Sequence, residues 1–199
     1  MKTTGESIDR NARRQRGFSL LEFLIAMLVL TIGTGGMLPL LIGSITVNKK
    51  AAGDTTSIMV AEVVLEQASS QAANYAGVLP NPIQDCATPA NAWNIDVTDA
   101  VVGAGSGGAS GGNGANLTAA GTIDWTEPYN NIPAGYAMKY VACSTTNDTP
   151  VTYDVRWDVI RTSTAGQTKM IVVSARPLYT QGGALGIVIP ANLRTITGM

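Results

Sequence analysis

Histidine is absent from this chain of 199 residues, cysteine occurs only twice, and 14% of residues are charged. Without an imidazole, the common nucleophile–base pairs and the usual zinc sets are missing. Aromatic residues make up 6%, and after residue 17 no basic stripe interleaves with them, so contact with nucleic acid is not indicated. Paired acids such as Asp96 with Asp99, or Asp154 with Asp158, are the remaining candidates for a cation. On a strand, Arg156 would stand between the second pair, which argues for mutual charge compensation. The expectation is therefore no enzyme, no cofactor and no metal site.

Charge is also unevenly placed. The formal net charge is −1, yet the first 17 residues hold five of the 13 basic residues and two of the 14 acids, so that segment is +3 and the rest −4. From Phe18 to Ile42 the chain is overwhelmingly apolar. At about 1.5 Å per residue a helix of that length reaches roughly 38 Å, enough for a hydrocarbon core of about 30 Å. Only a helix satisfies the backbone of a single span in lipid. One carboxylate, Glu22, lies near its start, where a charge at mid-helix costs on the order of 2.5–3.5 kcal/mol on insertion scales. A secretory signal has a shorter apolar core and ends in a small-x-small site, and neither that nor a twin-arginine signal accounts for Glu22.

A cation at the edge of the run would account for it. Arg13, Arg14, Arg16, Gly17, Phe18, Ser19, Leu20, Leu21 and Glu22 closely resemble the class III signal of the type IV pilin family. There a short basic leader ends in Gly, and Phe opens an apolar helix with Glu at its fifth residue. The resemblance implies cleavage by a prepilin peptidase between Gly17 and Phe18, N-methylation of Phe18, and a register contact between Glu22 and the amine of a neighbouring subunit. Pro39, with Gly33, Gly35 and Gly36, should kink or locally open the helix, and pilins often carry a proline at that position. The basic leader fits the cytoplasmic side.

Asn48 to Lys50 would sit at the far interface. Beyond them, Ile58, Ala61, Val64, Leu65, Ala68 and Ala72 recur at spacings of three and four, predicting an amphipathic helix to about Tyr75. Gly77, Pro80 and Pro82 should end it. Residues 101–121 are rich in glycine and bury too little apolar surface to offset their ordering entropy, so they predict a mobile loop. A phosphate-binding loop lacks its Gly-Lys-Ser/Thr. Strands are expected at 135–143, 151–160 and 169–175, the second with Tyr153, Val155, Trp157 and Val159 on one face and Asp154, Arg156 and Asp158 on an exposed one. The polar residues from Thr162 to Gln167 suit a hairpin connection. Tyr153, Val155, Trp157, Val159, then Lys169, Ile171 and Val173, are similar to the C-terminal strands of the minor pilin PilV group.

The whole predicts an α+β fold, a pilin-like lollipop with a long N-terminal helical spine packed against a C-terminal antiparallel sheet. Its parts are a leader peptide (1–17), a transmembrane and filament-core half-helix (18–47), an amphipathic half-helix (48–76) and a head (77–199). The topology implies a single pass of the inner membrane with a periplasmic head, then passage to the pilus or cell surface. Partners would be other pilins and minor pilins, the prepilin peptidase and the inner-membrane assembly machinery. On the exported side, Cys86 and Cys143 form an even count that suits a disulfide, worth roughly 4 kcal/mol on a chain-entropy basis; two separate buried thiols are the other reading. The functional expectation is a minor type IV pilin. A type II secretion pseudopilin, a major pilin subunit and a bitopic protein with a periplasmic binding domain remain alternatives.

Overall fold

The computed structural model describes residues 18–143, 150–163, 168–178 and 189–198. The leader, and residues 164–167 of the expected hairpin connection, lie outside them. The fold is α+β and divides between Ile45 and Thr46 into two compact units. One helix, α1 (Leu20–Ser69), contributes to both.

In the first unit the helix is apolar on every side and its large side chains are exposed, from Leu20 at 78% to Met27 at 49%. In the second unit it becomes amphipathic. Ser57, Val60, Ala61, Val64 and Ala68 are buried, at the spacing of one helical face. The predicted face began one residue later, at Ile58, which is exposed. Ser57 takes the inward place because its hydroxyl donates to the Gly53 carbonyl at 2.9 Å and so carries no unmet bond inside. The helix also stops short of Tyr75. Ser69 and Ser70 donate their hydroxyls to the carbonyls of Glu66 and Gln67, local bonds that compete with the helical ladder. Ala73 is then buried and the predicted Ala72 exposed.

Among the described residues eight strands follow, in two sheets. β1 (Ile83–Gln84) and β2 (Ala92–Trp93) form a small antiparallel pair. The second sheet is centred on β6 (Val151–Arg161), whose one edge pairs antiparallel with β7 (Thr168–Leu178), and β7 in turn with β8 (Ala191–Gly198). The other edge of β6 is shared by three short strands. β5 (Ala137–Ala142) runs antiparallel to Val151–Arg156, β4 (Asn113–Gly114) antiparallel to Asp158–Val159, and β3 (Ala100–Val101) parallel to Ile160–Arg161. The expected meander is thus the middle of a larger, mixed sheet. Strands of two residues have no periodicity to read, which is why β3 and β4 escape sequence analysis.

Tyr153, Val155, Trp157 and Val159 of β6 join Ile171, Val173 and Ala175 of β7 and the buried face of α1 in one core. Trp157 is wholly buried, its indole N–H donating to the Asp96 carbonyl at 3.0 Å. The opposite face of β6 departs from expectation. Asp154, Arg156 and Asp158, predicted to be solvated, are at most 3% exposed, because residues 103–131 cover them. The glycine-rich stretch predicted to be mobile is part of that cover. Besides the burial of Ala115 and Leu117 in the core, it is ordered by backbone bonds, among them Gly103 N–H to Gly111 O (2.8 Å), Gly107 N–H to Gly112 O (2.8 Å) and Ala115 N–H to Trp157 O (2.9 Å). Gly114, at φ +125°, has to be glycine, since a Cβ there would lie 2.2 Å from the Trp157 carbonyl oxygen.

Cys86 is bonded to Cys143, with Cα atoms 5.2 Å apart. Beside it, the buried Asp85 carboxylate gathers the loop around β1 and β2. One oxygen accepts from the backbone N–H of Ala87 and Asn91, the other from Asn91 Nδ2, Trp93 Nε1 and Val141 N–H. Burial pushes this carboxyl up, but the bonds from Asn91, Ala87 and Trp93 outweigh it and hold the pKa at about 2.

Two outcomes are expected from thermal unfolding of the full chain followed by circular dichroism. Gly114→Ala should destabilise by ~2 kcal/mol or more, a fall of about 4–8 °C in Tm for a domain of this size. Because the folded Asp85 carboxyl titrates at about 2 rather than the usual 3.8, its contribution is present above the higher value and lost as pH falls through the lower one. Asp85→Asn should therefore lower Tm at neutral pH, and the difference from wild type should close as the pH falls towards about 2.

Candidate functional site

The amino-terminal residues expected to carry function occupy the start of α1. Phe18 is 80% exposed and precedes the helix. The Ser19 carbonyl accepts the Phe23 N–H at 3.1 Å, which places Glu22 in the first turn, where a carboxylate is favoured by the helix dipole. Gly17, Arg13, Arg14 and Arg16 lie outside the described residues. The helix continues through Pro39, and Gly33, Gly35 and Gly36 open onto empty space, with nothing within 4 Å of a Cβ built there. Thr31 and Thr34 return their hydroxyls to the carbonyls of Met27 and Leu30, so neither presents an unmet donor to apolar surroundings. Among the described residues this is the one helix long and apolar enough to cross a membrane, with a mean hydropathy of 2.1 over its most apolar window. An apolar surface of this extent is not stable in water and has to be covered by lipid or by other helices.

In the second unit the acids considered as cation ligands have other partners. Asp99 receives both Nε and Nη2 of Arg161 at 3.0 Å, and the Arg161 hydrogen bond holds its pKa below the usual value. Asp96 accepts from the backbone and hydroxyl of Thr98. Asp154 takes Arg156 through two nitrogens at 2.8 and 3.1 Å, and Asp158 accepts the Gly112 N–H at 2.9 Å. No group of three metal-ligating side chains forms among the described residues.

What sequence analysis missed is a stack of cations and rings on that second face of β6. The Arg156 guanidinium lies 4.6 Å from the Trp125 ring centre, Arg176 lies 4.2 Å from the same ring, and Lys139 stands 4.7 Å above Tyr129. Arg156 also donates to the Glu127 carbonyl at 2.7 Å. Burial, partly offset by Asp154, pulls the Arg176 pKa down, and burial raises that of Tyr129. The five side chains come from four separate segments, so no spacing in the chain could announce them. The arrangement clamps the 124–131 segment to the sheet through cation–π contacts. A second tie comes from Lys169, which is fully buried and donates to the Tyr75 carbonyl at 2.7 Å. It fastens the chain just beyond α1 to β7, and burial lowers its pKa.

Residues 12–38 match the family model of the prokaryotic N-terminal methylation motif. No curated protein and no solved structure matches the chain. The motif covers the basic segment, Phe18, Glu22 and the first turns of an exposed apolar helix, and it supports a protein of the type IV pilin- or pseudopilin-like kind.

Proposed function

We propose that the chain is a minor type IV pilin of the PilV sort. In this reading it enters the inner membrane through the span 18–47, is cut after Gly17, is methylated on the new amine of Phe18, and passes into a pilus or its initiating complex. Its work is packing rather than catalysis. Phe18 to Val47 supplies the filament-core contacts, and Glu22 pairs with the Phe18 amine of a neighbour. The segment from Gly33 through Pro39 is the place where the helix loosens on assembly. The residues from 77 onward present the surface that other minor pilins select, stapled by the Cys86–Cys143 bridge.

The observation that carries this reading is the coincidence of the methylation motif at 12–38 with a helical segment, 20–45, whose large apolar side chains are exposed. Among the described residues no cation pairs with Glu22, which leaves its carboxylate available to a second chain. Tyr153, Val155, Trp157 and Val159, then Lys169, Ile171 and Val173, supply the narrower likeness to the minor pilin group. Among them Trp157 and Lys169 are fully buried.

Mass spectrometry of the mature amino terminus tests the first half. The expected species begins at a methylated Phe18, and an intact leader or a cut at another bond defeats the reading. Glu22→Ala tests the second half. The variant should insert and be processed normally, while its recovery in sheared filaments falls about tenfold or more, equivalent to ~1.4 kcal/mol of lost pairing. Wild-type incorporation would show that Glu22 sets no register.

A further inference from the structure

Residues 103–112 of the glycine-rich stretch are anchored to β6 at both ends and by one side chain between. β3 precedes them and β4 follows them, each hydrogen-bonded to β6. Between these anchors, the bond from Gly112 N–H to the Asp158 carboxylate at 2.9 Å ties the loop to the strand. The other carboxylate oxygen, Oδ2, is buried and has no hydrogen-bond partner. It is roofed by backbone, since a Cβ on Gly107 would lie 1.9 Å from it. A buried, half-bonded carboxylate is tolerated as a neutral acid and poorly as an anion.

We propose that residues 103–112 form a proton-controlled latch, closed over β6 while the Asp158 carboxyl is neutral and loosened when that carboxyl ionises.

The surrounding charges do not compensate the anion. Residues 100–123 contain no ionisable side chain. On β6 itself, Arg156 is committed to Asp154. Register places Lys139 of β5, Arg176 of β7 and Arg194 of β8 on the same face, but among the described residues none forms an ion pair with Asp158. Val172 is its direct cross-strand neighbour on β7. The nearby ionisable groups are Glu127 of the covering segment, whose negative charge opposes ionisation, and the phenol of Tyr136 just before β5. Burial pushes the Asp158 carboxyl up to about 7, with the Gly112 bond pulling down and Glu127 pushing further up. In an open loop the group returns to its usual range near 3.8. The closed form therefore holds the extra proton between these values. Its advantage is complete below the lower one and is lost as pH rises through the upper one.

The test is hydrogen–deuterium exchange on the detergent-solubilised full chain at about pH 5.5 and 8.5, with intrinsic exchange rates divided out; protection of the amides from Gly103 to Gly112 should fall about 30-fold at the higher pH, the linkage value for a carboxyl moving from 3.8 to about 7. Amides of β6 and β7 serve as the internal control and should stay protected. Asp158→Asn keeps an oxygen for Gly112 and removes the proton equilibrium, so its loop protection should be the same at both values. Glu127→Gln should move the wild-type midpoint to lower pH. Equal loop protection in the wild type at the two values overturns the proposal without recourse to any variant. So does a pH response in Asp158→Asn equal to that of the wild type.

Discussion

Strand β6 buries both of its faces, and the second unit is arranged to make that possible. The apolar face asks only for contact, which α1 and the adjoining strands supply around Trp157. The charged face demands more, because a buried ion without a partner costs several kcal/mol. Asp154 and Arg156 solve this for each other through a two-nitrogen pair, and Trp125 then covers the guanidinium. The 103–131 segment is thus drawn onto the sheet by charge, ring stacking and backbone bonding. Ala115, Leu117 and Ile123 of the same segment add apolar burial.

Glycine suits that cover because the approach is close. A loop running against the strand backbone, with Gly114 over the Trp157 carbonyl, leaves no room for side chains. The same closeness that lets the loop bond to β6 deprives Asp158 of water. One segment thus combines an ordering device with a titratable weak point, and the two follow from one geometric fact.

The first unit answers to a different solvent. Its helix has no inward face, and the hydroxyls of Thr31 and Thr34 bond back to its own carbonyls. Such an exposed apolar helix needs apolar surroundings. The methylation motif at its start and the exposed side chains along it fall on one segment whose apolar surface calls for cover.

The sequence by itself determined what depends on neighbours in the chain: the methylation motif at 12–38, the apolar helix with Glu22, the amphipathic continuation of the helix, and the alternating strands around Trp157 and Val173. These are local patterns, and periodicity and spacing report them directly. Its errors were local too, such as the shift from Ile58 to Ser57, where a hydroxyl bonded to its own helix made a polar residue fit to bury. Only the tertiary structure decided that Asp154, Arg156 and Asp158 face inward, that the glycines order against β6, and that Trp125, Tyr129, Lys139 and Arg176 gather over them. A charged strand face looks alike in sequence whether water or another segment covers it. The difference lies in partners that arrive from far along the chain.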